Sequence, residues 1–186
     1  MKTVSIIGTA GRREDASRMS KILYKRMVNH AAYTIAVTWG LEGKDITLVS
    51  GGAAWADHTA VSLYLLQQET HIKLYIPCNW DFDRKEYLDT GERDWKRNPG
   101  GTCNYYHRQF SKIMGGNTLN TLNTVMSLGY YEVIPGLLER NQGPASSDYL
   151  MAFTWSEGIN PKDGGTKKTW DITKTKNKIH IPLSGL

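Results

Sequence analysis

Only two cysteines, Cys78 and Cys103, occur in 186 residues. That is too few for a disulfide framework, and no Cys/His spacing resembles a zinc finger or knuckle. A reducing compartment suits such a chain. No apolar run approaches the about 18 residues that cross a bilayer. The opening Met-Lys-Thr-Val-Ser-Ile-Ile-Gly is too briefly apolar for a secretory leader, so a cytoplasmic location is expected and a membrane partner is not. Proline is sparse at 6 residues, and 40% apolar with 22% charged residues is far from disordered or collagen-like usage. At about 150 residues per domain, the length gives a single domain, 1–186, with room for an insertion. Acidic charge is the minority sign: 18 carboxylates against 23 Lys and Arg leave +5, which suits a phosphorylated or polyanionic partner.

What is present is an alternation of strand and helix. Val4 to Ile7 is a short apolar run closed by Gly8, the mark of a strand covered on both faces. After Gly8-Thr9-Ala10-Gly11-Arg12-Arg13, the residues Met19, Ile22, Leu23 and Met27 recur at helical spacing and predict a helix from near Asp15. Ile46 to Val49 repeats the pattern, followed by the turn Ser50-Gly51-Gly52 and a helix with Ala56, Ala60, Leu63 and Tyr64 inward. Lys73 to Ile76, closed by Pro77, is a third strand. This order predicts right-handed crossovers and so an α/β fold: a Rossmann-like parallel sheet with helices on both faces.

From Asn79 to about Gly101 the pattern reads as a long loop. Beyond it, Tyr106, Phe110, Ile113 and Met114 mark one helix. The triplets of Asn117 to Val125 place Leu119, Leu122, Val125 and Met126 along a second, and a third helical piece is expected around Val133 to Arg140. Residues 86–138 are thus read as a helical insertion after the third strand. Tyr149 to Trp155 gives another strand, a helix begins near Thr166, and Lys178 to Ile181 closes the sheet.

Ligands of such sheets sit at the strand C-termini, and three turns there carry glycine: Gly8 to Arg12, Ser50 to Asp57, and Asp163-Gly164-Gly165-Thr166. Glycine lets an anion approach backbone amides, and the N-terminus of the following helix favours negative charge. Each glycine alone reads as a tight turn; three at neighbouring strand ends point together to a phosphate pocket. Thr166 adds a hydroxyl and Arg12 a forked cation. Arg140-Asn141 offers a phosphate clamp beside an amide able to read a base or ribose, against the plainer reading of an exposed helix end. Trp55, Trp80, Trp155 and Trp170 neighbour these turns; core packing is the first reading of any one of them, base stacking the second. Asp57 sits where a carboxylate gains from a helix dipole, and Asp57 and Glu139 are the candidate acids for glycosidic chemistry. Asp81 and Asp83 read as solvated. His58 and His107 lack a sequence partner that would make them acid/base or metal groups.

Together these elements resemble the SLOG superfamily. They are the glycine turn after the first strand, Ser-Gly-Gly-Ala-x-x-Ala-Asp at residues 50–57, Pro-x-x-Trp at Pro77 to Trp80, Arg140-Asn141, and an Ala-Phe strand followed by Gly-Gly-Thr. Within the superfamily the YspA-like branch is most similar; the Lonely Guy phosphoribohydrolases and the DNA-uptake protein DprA are more distant members. The resemblance spans roughly residues 1–85 and 139–186. It implies a nucleotide pocket formed by Gly8, Thr9, Arg12, Ser50, Gly51, Gly52, Trp55, Asp57, Trp80, Arg140, Asn141, Gly164, Gly165 and Thr166.

Two departures stand out. About fifty residues separate Pro-x-x-Trp from Arg-Asn where the branch has a short connection. Thr169 also occupies the position of the Lonely Guy catalytic Glu, and Asp171 points about 200° further round the helix. Three functions follow: a sensor or sequestering protein for a nucleotide signal, a nucleotide N-glycosidase drawing its acid from elsewhere, or a single-stranded DNA binder. The last rests on Lys162, Lys167, Lys168, Lys174, Lys176 and Lys178, a row that also reads as a solvated helix face. No metal or cofactor is called for, and a homo-oligomer is expected.

Overall fold

The computed structural model describes residues 1–67 and 70–186. The chain opens with β1 (Lys2–Gly8), a 3-10 segment at Arg13–Arg18 and α1 (Lys21–Tyr33). Next come β2 (Ile46–Ser50), α2 (His58–Leu66) and β3 (His71–Ile76). A small hairpin, β4 (Trp80–Asp81) with β5 (Glu86–Tyr87), precedes α3 (Pro99–Met114), α4 (Thr118–Met126) and β6 (Tyr131–Val133). The chain closes with α5 (Gln142–Ala145), β7 (Tyr149–Thr154), α6 (Gly164–Ile172) and β8 (Lys178–Pro182).

Six strands, all parallel, make the central sheet in the order β6-β3-β2-β1-β7-β8. This is the expected Rossmann-like α/β arrangement. The chain winds outward from β1 to β6, then returns to the other side of β1, so the winding reverses between β1 and β7. In such sheets that reversal opens the ligand crevice at the strand C-termini.

Side chains alternate across the sheet with period two. Val4, Ile6, Leu48, Leu74, Ile76 and Phe153 pack with α1, α2, α3 and α4 in the main core. Ile7, Leu150 and Ala152 face the other way, against Trp170 of α6. On that second side α5 comes so close that a Cβ on Gly143 would lie 2.2 Å from the Tyr75 ring. Among the described residues, no helix is long and apolar enough to cross a membrane.

Several boundaries differ from the sequence pattern, each for a local reason. The first helix starts at Lys21 rather than near Asp15, because Ser20 Oγ caps it by accepting from Leu23 N at 3.1 Å. Its inward face is Leu23, Tyr24, Met27, Val28 and Ala31, leaving Ile22 66% exposed. Ile113 likewise lies outside, since α3 buries Cys103, Asn104, His107 and Phe110. The loop read from Asn79 to Gly101 holds the β4–β5 hairpin and the start of α3, where Asn98 Oδ1 accepts from Gly101 N at 2.9 Å and proline follows the cap.

The segment after β3 is helical at its centre, as expected, but the third helical piece around Val133 to Arg140 is corrected. Tyr131–Val133 pairs with Leu74 to Ile76 as the outermost strand, and only Glu139–Asn141 makes a single 3-10 turn before α5. The β3 backbone requires the pairing: Leu74 N donates to Tyr130 O and Ile76 O accepts from Ile134 N, each at 2.9 Å.

Phe110 joins the layers. Its ring lies 4.3 Å from Trp55, 4.9 Å from Tyr24 and 5.4 Å from His58, centroid to centroid. Phe110→Ala is expected to cost about 3–5 kcal/mol, read as a fall in the urea midpoint at unchanged slope.

Candidate functional site

The turns after β2, β1 and β7 lie along one edge because their strands are neighbours. The first turn is bonded to both of the others' elements: Thr9 N donates to Phe153 O at 2.9 Å, and Thr9 O accepts from Ala56 N at 3.2 Å. Gly8, at φ +154°, sits so close to β7 that a Cβ would be 2.0 Å from Phe153 O, an approach open only to glycine. The Thr9 hydroxyl is occupied, donating to Asp15 and accepting from Gly11 N at 3.1 Å.

The second turn is buried and held from within and without. Ser50 Oγ donates to Asp57 O at 2.8 Å and accepts from Gly52 N at 3.0 Å. Gly52 O receives two donors from the excursion beyond β3: Tyr87 Oη at 2.6 Å and His107 Nε2 at 3.0 Å. A carbonyl only accepts, so His107 carries its proton on Nε2, leaving Nδ1 against Thr118 Oγ1 at 3.0 Å. Burial pushes the His107 pKa down to about 4, with the Gly52 bond opposing. Burial also raises the Tyr87 phenol well above its ordinary value.

Arg140 lies on this turn. It is 6% exposed, and its Nη1 is 3.3 Å from Asp57 Oδ2, itself buried. The guanidinium rests against Gly51, where a Cβ would be 1.4 Å from Nη1. Burial is the largest single influence and opposes its charge, but Asp57 together with Cys103 and Tyr87 more than offsets it and leaves the pKa above the usual arginine value. Its Nε is buried with no hydrogen-bond partner among the described residues. The adjoining Asn141 reaches Gly165 O through Nδ2 at 3.5 Å, which links the second turn to the start of α6. There Asp163 makes no side-chain cap, and Gly164, at φ +67°, faces open space.

The structure therefore gathers Gly51, Asp57, Arg140, Asn141 and Gly165, with Thr166 one residue on. Other expected ligands are placed differently. Arg12 is exposed and turned toward α3, its Cζ 5.1 Å above the Tyr106 ring. Trp55 and Trp80 take the first of their two readings, core packing: Trp55 packs on Phe110, and Trp80 is buried with Nε1 donating to Asn123 Oδ1 at 2.9 Å. Of the two carboxylates, Asp57 is paired with Arg140, and Glu139 is exposed and folded over Gly136. Thr169 is buried and donates to Gly165 O at 2.9 Å. The lysine row is interrupted, since Lys167 pairs with Asp171 and Lys178 donates to Trp170 O. Tyr87 and His107 were not foreseen as holders of Gly52, because nothing in the sequence pattern links residues 35 and 55 positions apart.

Fold and topology define an α/β protein of Rossmann-like build whose winding reverses between β1 and β7. The chain is 32% identical over 185 residues to Uncharacterized protein R261 of Acanthamoeba polyphaga mimivirus, covering 97% of this chain and 96% of that one. It belongs to the family of that viral protein. No protein-family profile matches the chain, and no solved structure does.

The buried histidine ties stability to pH. Unfolded, His107 binds a proton below its ordinary pKa of 6.5; folded, it refuses one until about 4. Its contribution is therefore full above pH 6.5 and is lost as pH falls toward 4, about 3 kcal/mol in all. Urea unfolding at pH 7 and 4.5 should show this loss. His107→Gln, whose amide still donates to Gly52, should reduce the difference, leaving the part due to His58, whose pKa burial also lowers well below its ordinary value.

Proposed function

We propose that the chain binds a nucleotide or nucleotide-derived small molecule at the edge formed by the β1, β2 and β7 turns, as a sensor or sequestering protein for such a signal. The observation that carries this reading is Arg140. It is a buried cation lying on Gly51 and paired with Asp57, its Nε has no partner among the described residues, and its neighbour Asn141 reaches the uncapped start of α6. A buried charge with spare donors favours an incoming anion, and the start of α6, which the adjoining Asn141 reaches, adds amides that favour negative charge. The resemblance of these turns to the SLOG superfamily agrees with the assignment. Binding is favoured over N-glycoside cleavage because Asp57 is taken by Arg140 and the Thr169 hydroxyl by Gly165.

Calorimetric titration with ribose 5-phosphate and the four common nucleoside 5′-monophosphates tests this. Wild type is expected to bind, without release of free base. Arg140→Lys, which keeps a charge beside Asp57 but loses the fork, is expected to bind about tenfold or more weakly. Silence from every compound, or an unchanged affinity in the lysine variant, overturns the proposal.

A further inference from the structure

A second feature adjoins the first turn. Arg12 and Arg13 leave that turn and, with Arg93, Trp95, Tyr105 and Tyr106, line a cleft of about 610 Å³ at the start of α3. This is within the size range of small-molecule sites. Its aromatics are turned outward: Trp95 is 44% and Tyr105 56% exposed. Tyr105 and Tyr106 meet edge to face at 5.1 Å. Trp95 on the loop, with Lys96 Nζ 5.5 Å from its ring centroid, and Tyr105 on α3 are large aromatics left partly in water, a surface that a ring can cover.

The loop that carries Trp95 is fixed rather than slack. The Asn98 amide donates to Asp89 Oδ1 at 2.7 Å and Glu92 O at 2.9 Å, and its oxygen accepts from Thr90 N at 3.2 Å and Gly101 N at 2.9 Å. An amide with all four bonds made holds the wall in place before any ligand arrives. Three arginines against Asp89 and Glu92 leave the lining with one excess positive charge, and the Asp89 carboxylate is already occupied by Gly91 N and Asn98.

The cleft takes Arg12 from the turn after β1, and Arg140 lies on the turn after β2; the two strands are neighbours and the turns are joined by the bond from Ala56 N to Thr9 O at 3.2 Å. We infer that this cleft receives the base of the nucleotide whose phosphate rests at Arg140 and the α6 start, the ring stacking on Trp95 and Tyr105 with Arg12 beside it. The inference rests on the phosphate reading above and adds the part of the ligand that reading leaves unplaced.

Ribose 5-phosphate carries the phosphate without a base, so comparing it with the four nucleoside 5′-monophosphates separates the two claims. Wild type is expected to bind at least one monophosphate about 5- to 100-fold more tightly than ribose 5-phosphate. Trp95→Ala and Tyr105→Ala should erase that margin while leaving ribose 5-phosphate affinity and thermal unfolding unchanged. Equal affinities in wild type, or a margin that survives both substitutions, overturns the base site and leaves the phosphate site standing. A monophosphate bound in a Trp95-dependent way without any ribose 5-phosphate binding supports the cleft and overturns the phosphate site. Binding of neither overturns both.

Discussion

A guanidinium packed against a glycine organises the strand ends of this protein. Arg140 can bury its charge only because Gly51 has no side chain and Asp57 lies beyond it. Desolvating such a pair costs several kcal/mol, recovered only where geometry and further hydrogen bonds are good. Here they are incomplete, since the contact is 3.3 Å and Nε has no partner among the described residues. The second turn, the 3-10 turn that carries Arg140, and through Asn141 the start of α6 are all positioned around that under-bonded cation. Buried polar groups left unsatisfied in a native fold call for an explanation, and the anionic ligand we propose would supply one.

The long excursion between β3 and β6 takes part in the same arrangement. Tyr87 and His107 come from different elements of it and converge on one carbonyl, Gly52 O. Phe110, one turn of α3 beyond His107, packs against Trp55 of the same loop. The excursion therefore grips the second turn from above while its last residues, β6, extend the sheet. It is as much a part of the turn's support as β2 is.

How far the sequence was legible depended on whether the signal was local. The apolar runs Val4 to Ile7 and Ile46 to Val49, and the glycines ending them, identify strands and turns because buried parallel strands have few alternatives. Leu119, Leu122, Val125 and Met126 all proved buried, since their spacing permits one helical face. Local competition moved the first helix: the Ser20 cap defined its start more strongly than the apolar spacing from Met19. A three-residue edge strand such as Tyr131–Val133 has too little pattern to stand out beside helical neighbours. Of the candidate site, the glycines and Arg140-Asn141 stand out in the sequence, and the fold brings Gly51, Arg140, Asn141 and Gly165 together. The site was not legible in Trp55 and Trp80, whose composition allows both core and stacking roles until packing decides between them.

β1 is paired on one side with β2 and on the other with β7, and the second ladder joins Val4 to Tyr149. Synthesis completes β2 roughly a hundred residues before β7, an interval of about 5–20 s at common translation speeds. For that time one of the two central strands of the finished sheet presents an unpaired flank of amides and carbonyls, with Val4 and Ile6 beside it. An open flank of this kind is a template for a neighbouring nascent copy. Production of the intact protein thus depends on how quickly the C-terminal third arrives to close it.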